Sequence, residues 1–166
     1  MGVNVMKASE YIKQNGDFEI TEELEKCIPH KPKTVWDLKN GDKCYWLSAT
    51  NSILTHKWNN DIYDKSQRDI GLITLTKEEL EFKLESIKVY EELKRYAKEF
   101  TDEEWKDVTT PKFEIYFDYR IKKIEIDDFG TLKCNQLYFE SADKAKEAIT
   151  SVGEERVKKY YLGVGK

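Results

Sequence analysis

Hydrophobic and polar positions follow the same order in two separate stretches of the chain. The first, ITLTKEELEFKLESIKVYEELKRYAKEF at 73–100, runs from a short apolar segment through Thr76 into an amphipathic helical pattern. The second, LYFESADKAKEAITSVGEERVKKYY at 137–161, does the same through Ser141. Thr and Ser are favoured helix N-caps, because their side-chain oxygen accepts a hydrogen bond from a free N–H of the first turn. The two stretches therefore predict two strand-to-helix units.

Further strand patterns precede both helices. KCYWLS and ILTHKW flank the turn-like ATNS and predict a β-hairpin, and GLITLT predicts a third strand before a helix at 77–99. The intervening NNDIYDKSQRD is interpreted as a polar loop. The helix at 77–99 is expected to have one apolar face, formed by Leu80, Leu84, Ile87 and Leu93. TDEE, at 101–104, is interpreted as a capping box that starts a short helix. In the second half, KFEIYFDYRIKKIEID predicts two alternating strands and LKCNQLYF a third. The order β-β-β-α is thus predicted twice. The similarity of the two helices alone does not establish a repeat, because any two amphipathic helices with N-caps would align as well.

The predicted organisation is an α+β fold of two related β-β-β-α modules preceded by short N-terminal helices. PHKPK, at 29–33, is the best candidate linker, because a residue that precedes proline is disfavoured in a helix. We assign 1–34 to an N-terminal helical appendage and linker, 35–110 to the first module and 111–166 to the second. Modules of this size bury little surface alone, so we expect them to share a core.

Charge and cysteine content narrow the class of protein. The net charge is −4, and residues 71–111 carry 7 basic and 11 acidic groups. A general nucleic-acid binder is usually basic, and interspersed lysines argue against a pure acidic mimic of nucleic acid. The three cysteines are widely spaced without a CxxC motif, which predicts neither a disulfide framework nor a zinc site and favours a reducing cytoplasm. No segment has the length or hydropathy of a membrane span, so we expect no membrane partner.

Candidate reactive residues are few. His56 is followed by Asp61 and Asp64, but this spacing matches no metal-ligand motif. DFG, at 128–130, is interpreted as a turn, because the other protein-kinase motifs are missing. No nucleophile or acid–base motif stands out, so we expect a protein that is not an enzyme and needs no metal or cofactor.

The aromatic strand FEIYFDY admits two interpretations. Its rings form either the core face of a sheet or a base-stacking platform, with nearby basic side chains reaching phosphates. Glu114 and Asp118 alternate with the rings and would repel phosphate, which favours the core. Three tryptophans around the first hairpin, Trp36, Trp46 and Trp58, pose a similar choice between core and an exposed anchor for a protein partner.

A family resemblance covers residues 35 to 164. VWDLKNGDKCYWLSATNSILTHKWNND, then TKEELEFKLESIKVYEELKRYAKEF, then FESADKAKEAITSVGEERVKKYYLGV resembles a loose family of small proteins from phages and prophages of low-GC Gram-positive bacteria. Its members pair a W…G(D/E)…YY hairpin with a helix that ends in ELKRYAKE. GLITL departs from the family's Gly-Asn-Cys-Phe entry to the first helix. The resemblance implies a phage accessory protein but transfers no established activity and no catalytic residues.

These observations favour a non-enzymatic accessory protein that binds a host protein. The specific hypothesis is an anti-CRISPR-like inhibitor of a bacterial defence nuclease, such as a CRISPR effector, that acts in the host cytoplasm by steric and electrostatic blockade. The predicted partner-binding residues are Glu78, Glu79, Glu81, Glu85, Glu91, Glu92, Trp46 and Trp58.

An alternative hypothesis assigns the chain to phage recombination or replication as a nucleic-acid-binding accessory protein. It uses the basic, aromatic second module and predicts strongly salt-dependent binding to single strands. The predicted nucleic-acid-binding residues are Arg120, Lys122, Lys123, Arg156, Lys158 and Lys159.

Overall fold

The computed structural model describes residues 34–128, 130, 133–134 and 136–165, so the appendage predicted for 1–34 lies, apart from Thr34, outside the described residues. The fold is α+β, as predicted, with two small antiparallel sheets packed by helices. In chain order the elements are a 3₁₀ turn Val35–Asp37, strands β1 Lys43–Leu47 and β2 Ile53–Lys57, helix α1 Ile62–Asp69, strand β3 Ile73–Thr74, helices α2 Lys77–Lys94 and α3 Asp102–Lys106, strands β4 Phe113–Asp118 and β5 Lys123–Asp128, helices α4 Ala142–Val152 and α5 Glu154–Arg156, and a π-helical turn Val157–Tyr161.

The first sheet has the strand order β2-β1-β3, which confirms the predicted hairpin and third strand. Strand β1 pairs with β2 over its whole length, and Tyr45 and Trp46 pair with β3. Residues two apart in a strand share a face, and Cys44 and Ile73 are fully buried on one face beside Trp58. Helix α2 contacts all three strands, which ties the first sheet to the longest helix of the fold.

Helix α1 corrects the prediction of a polar loop after the first hairpin. The Asp61 side chain caps the helix by accepting a hydrogen bond from the Asp64 N–H at 2.8 Å. The buried Asp64 carboxylate accepts from His56 Nε2 at 2.7 Å and from the Asn59 N–H at 2.6 Å. This helix is attached to the sheet through hydrogen bonds as well as apolar contacts. Its sequence therefore lacks the apolar periodicity from which a helix is predicted.

Helix α2 is buried on two opposite sides. Leu80 and Val89 are both buried, and nine residues are about 2.5 turns, which places them on opposite faces. Val89 and Leu93 belong to the core of the second module. A single apolar face that included Ile87 was therefore the wrong expectation, because the Ile87 side chain is 51% exposed. Helix α2 thus contacts the first sheet and supplies Val89 and Leu93 to the core of the second module.

The second sheet pairs β4 with β5 from Phe113 to Asp118. Among the described residues of the third strand predicted at 132–139, only Phe139 pairs with this sheet, through an isolated bridge to Phe113, so the prediction is wrong in its extent. Beyond this bridge, the Leu137 N–H donates to Tyr161 Oη at 3.1 Å and not to β4. Even so, Phe139 lies beside β4 as β3 lies beside β1, so the two units share the same spatial order.

Helix α4 covers the apolar face of the second sheet. Ser141 caps it by accepting from the Lys144 N–H, and Thr101 and Glu104 form the reciprocal capping box predicted for α3. Buried residues of the second core come from α2, β4, α4 and the segments beside them: Val89, Leu93, Ile115, Leu137, Phe139, Ala145, Ala148, Val152 and Val157.

Candidate functional site

A groove of about 650 Å³ opens where α2, β4 and the π-helical turn meet. We call it the tyrosine groove, because five tyrosines line it together with Ile87, Phe117 and a few smaller contacts. The tyrosines are Tyr90 from α2, Tyr116 and Tyr119 from β4 and its following turn, and Tyr160 and Tyr161 from the π-helical turn. A groove at the junction of two units is a common place for a binding site.

The groove follows from the shortened third strand. Phe113 and Phe139 exchange two main-chain hydrogen bonds, so the main-chain groups of Phe113 point to that edge of β4. Main-chain direction alternates along a strand, and Ile115 and Phe117 therefore point to the same edge. Pairing stops after Phe113, and from Ile115 onward this edge borders the groove instead of a third strand.

Large side chains of the groove reach solvent. Tyr119 is 72% exposed, Ile87 51% and Tyr90 39%. The Tyr119 ring packs edge-on against Phe117 with ring centroids 5.0 Å apart. Contiguous exposed apolar and aromatic side chains are typical of surfaces that bind another macromolecule.

Charge in the groove is sparse. Glu91 is its one charged lining residue, and it makes no hydrogen bond or ion pair with any residue that the structure describes. Two lysines lie over groove rings, with Lys158 Nζ 5.5 Å from the centroid of Phe117 and Lys159 Nζ 5.0 Å from that of Tyr160. Burial raises the pKa of Tyr161 to about 12, so its hydroxyl stays protonated at neutral pH.

Most of the predicted acidic partner site is neutralised within the protein. Glu79 pairs with Lys83 at 3.7 Å, and Glu81 with Lys77 at 2.9 Å, both one helical turn away on α2. Glu78 forms no ion pair with the described residues. Only Glu78 and Glu91 of the six predicted glutamates therefore present a carboxylate without an ion pair.

Arg156 joins the two predicted sites. Its guanidinium binds both carboxylate oxygens of Glu92, at 2.7 and 3.0 Å, and lies 3.6 Å from Glu85. This hydrogen bonding lowers the pKa of Glu92, and Glu85 also contacts Lys88 at 2.6 Å. Residues assigned to partner binding and to nucleic-acid binding thus hold the second module against α2.

The tryptophans divide between core and surface. Trp58 is 1% exposed, so its predicted role as a surface anchor is wrong in this fold. Trp46 is half-buried and stacks on His56 with ring centroids 5.0 Å apart. Trp36 is 63% exposed, and the Arg68 guanidinium lies 4.2 Å from its ring.

The other predicted basic residues lie in two places. Arg120 and Lys122 lie in the β4–β5 turn and Lys123 begins β5, and the Asp118 side chain accepts from the Arg120 N–H at 2.7 Å. Lys158 and Lys159 lie on the rings of the tyrosine groove. With Arg156 paired with Glu92 and Arg120 with Asp118, four of the six predicted residues make no ion pair with the described residues.

A second cavity, of about 560 Å³, adjoins the tyrosine groove and shares Tyr90 and Gln136 with it. Three lysines line it, namely Lys94, Lys98 and Lys133, beside the ring of Trp105. Lys98 pairs with Glu104 at 2.7 Å. Sequence patterns predict neither cavity, because the cavity walls combine residues from distant segments that no periodic pattern connects.

His56, Asp61 and Asp64 lie close together, but their role is structural. Asp61 caps α1, and the Asp64 carboxylate is occupied by His56 and Asn59. Burial raises the pKa of Cys44 to about 11, so this neighbouring thiol is not an activated nucleophile. Within the described ranges, no group of three or more His, Cys, Asp or Glu side chains is placed to hold a metal ion.

Comparisons with protein-family models, curated proteins and solved structures find no match to this chain. The fold and the groove therefore define the class of protein. It is a small α+β protein with an aromatic groove between its two sheet-and-helix units. In the described part of the chain, no helix combines the length and hydropathy needed to cross a membrane.

Proposed function

We propose that this chain is a non-enzymatic phage or prophage accessory protein that binds a host protein through the tyrosine groove. The observation that carries the proposal is the row of exposed groove side chains, Ile87, Tyr90 and Tyr119, beside a strand edge that no strand in the described part of the chain covers. Tyrosine supplies a large amphipathic contact area at low cost in conformational entropy, which is why it is enriched at protein interfaces.

The host partner we propose is a bacterial defence nuclease, a target that suits a phage accessory protein of the kind that the resemblance implies. The mechanism is steric blockade, with the groove clasping part of the nuclease. Electrostatic blockade by the whole acidic face of α2 has less support, because four of its six glutamates are paired with basic residues of the same chain. Glu91, at the groove, is the acidic residue best placed to contact the partner.

The test is affinity capture from a lysate of a low-GC Gram-positive host with immobilised full-length protein. Three baits are compared: wild type, Ile87→Asp in the groove, and Ile62→Asp as the matched control. Ile62 is 88% exposed on α1 of the first module and makes no part of the groove. Each bait is captured in nuclease-treated and untreated lysate, and circular dichroism verifies that the variants fold.

We expect wild type and Ile62→Asp to retain one defined host protein in both the nuclease-treated and the untreated lysate. Ile87→Asp should not retain it. When purified, that protein should cleave nucleic acid more slowly in the presence of wild type than of Ile87→Asp. Equal retention by all three baits would show that the groove is not the surface that binds the host protein.

The alternative, a nucleic-acid-binding accessory protein, draws support from the cavity that Lys94, Lys98 and Lys133 line beside Trp105. Lysines contact phosphates, and aromatic rings stack on bases. A gel shift with single-stranded DNA at low salt tests it, with Lys133→Glu compared with Lys57→Glu on the distant strand β2. Binding that only Lys133→Glu weakens would move the assignment to this alternative.

A further inference from the structure

The tyrosine groove offers a cation two kinds of favourable contact. Aromatic rings attract cations to their faces, and a carboxylate attracts them by charge. The protein's own lysines already use the first kind of contact, since Lys158 lies over Phe117 and Lys159 over Tyr160. Glu91, which has no ion pair of its own among the described residues, supplies the second.

The strand behind the groove adds negative charge. Cross-strand partners point to the same face of a sheet, so Tyr116 shares its face with Glu125, and Glu114 with Asp127. Burial is the main cause that raises the pKa of Tyr116, and the carboxylates of Asp127 and Glu125 raise it further. Two basic side chains, Lys158 and Lys159, lie over rings of the groove, and Arg120, in the turn after β4, is paired with Asp118.

We propose that the tyrosine groove binds a cationic side chain, a lysine or arginine of a protein partner, between its aromatic rings and with Glu91 as the counter-ion. This inference rests on the proposed function and specifies the partner surface as a basic one. Surfaces that hold nucleic acid are basic, so the assignment agrees with a nuclease as the partner. Phosphate is the disfavoured occupant, because the carboxylates on and behind the groove repel it.

The test measures fluorescence anisotropy of three labelled probes with the full-length protein at physiological salt. The probes are a nonaarginine peptide, a nonaglutamate peptide and a single-stranded oligothymidine. Glu91→Gln is compared with Glu78→Gln, which removes the same charge from the same helix outside the groove. Tyr119→Leu, which removes the ring, is compared with Tyr119→Phe, which keeps it.

We expect nonaarginine alone to bind. Glu91→Gln and Tyr119→Leu should each weaken that binding by about fivefold, whereas Glu78→Gln and Tyr119→Phe change it by less than about twofold. Equal losses for the two glutamate variants, or an unaffected Tyr119→Leu, would overturn the inference, as would preferential binding of the oligonucleotide.

The two proposals fail in different ways. If nonaarginine does not bind but the host protein is still captured by wild type and lost with Ile87→Asp, the cationic assignment falls and the proposed function stands. If the capture does not depend on Ile87 while nonaarginine binding depends on Glu91, the groove is a cation site and the proposed host-protein interface lies elsewhere.

Discussion

The two sheets share a strand order but differ at one edge. In the first sheet, β3 pairs with β1 at Tyr45 and Trp46 and covers that edge. In the second, pairing at the corresponding edge of β4 ends at the single bridge between Phe113 and Phe139. A repeated unit therefore closes its sheet in one module and leaves it open in the other, and the open edge forms the groove.

The sheets also differ in how a helix attaches to them. The first holds α1 through the hydrogen bond between His56 and Asp64 and through the edge-on contact of Trp46 with Tyr63. The second is packed by α4 and α2 through aliphatic side chains such as Ala148 and Leu93. Polar attachment fixes one helix orientation, whereas apolar packing makes the second core depend on residues from the first module.

The largest effect is expected from Leu93→Ala, which tests that dependence. Leu93 is fully buried in the second core although it belongs to the helix of the first module. Its truncation should cost about 3 kcal/mol of unfolding free energy from lost burial and the cavity left behind. Urea unfolding followed by tryptophan fluorescence and by circular dichroism should give one coincident transition. Two separate transitions, with the first module unaffected, would show that the modules do not share a core; Ile87→Ala is the exposed control.

Tyr161→Phe tests why the third strand stops. Without the hydroxyl, the Leu137 N–H loses its 3.1 Å acceptor, and we expect a loss of about 1.5 kcal/mol. Amide hydrogen exchange at Leu137 should accelerate. If Leu137 instead becomes better protected, it has paired with β4, and the open edge is a consequence of the tyrosine contact alone. Tyr160→Phe is the control, because the Tyr160 hydroxyl makes no hydrogen bond with any described residue.

Local patterns predicted the elements better than their partners. Alternation identified β1, β2, β4 and β5, and the Thr101 capping box marked the start of α3, because these signals depend on neighbouring residues only. Helix α1 escaped prediction because its buried residue is Asp64, whose partner His56 comes from another element. The face of α2 was misassigned at Ile87 because the helix packs on two sides.

The candidate site could be predicted only in part. Its aromatic residues were visible in FEIYFDY and KKYY, but their convergence depends on tertiary packing between α2, β4 and the π-helical turn. The acidic and basic residues were assigned to opposite functions, yet Arg156 and Glu92 bind each other. Residue type alone does not tell whether a charge faces a partner or its own chain.

Glu114→Gln is expected to stabilise the folded protein by about 1 kcal/mol at pH 7. Glu114 is buried, its Oε2 has no partner among the described residues, and burial raises its pKa above the ordinary value of 4.5. Below pH 4.5 the carboxyl is protonated in both the folded and the unfolded chain and costs little. As the pH rises, the unfolded chain ionises first, so ionisation favours unfolding.

Urea midpoints measured from pH 3.5 to 8 should therefore diverge as the pH increases, with Glu114→Gln the more stable protein. Glu125→Gln, on the same face of the sheet but half-exposed, is the control and should change stability by less than about 0.5 kcal/mol. A constant difference between Glu114→Gln and wild type at every pH would mean that the carboxylate charge is not its cause.

The smallest effect is expected from breaking the contact that ties α5 to α2. Arg156→Lys keeps the charge but loses the bidentate geometry with Glu92. Both side chains are more than a third exposed, so solvent screening limits the loss to about 0.5 kcal/mol. A double-mutant cycle with Glu92→Gln should return a coupling energy of that size that falls in high salt. A coupling energy near zero would show that the apolar core alone, and not this ion pair, fixes the second module on α2.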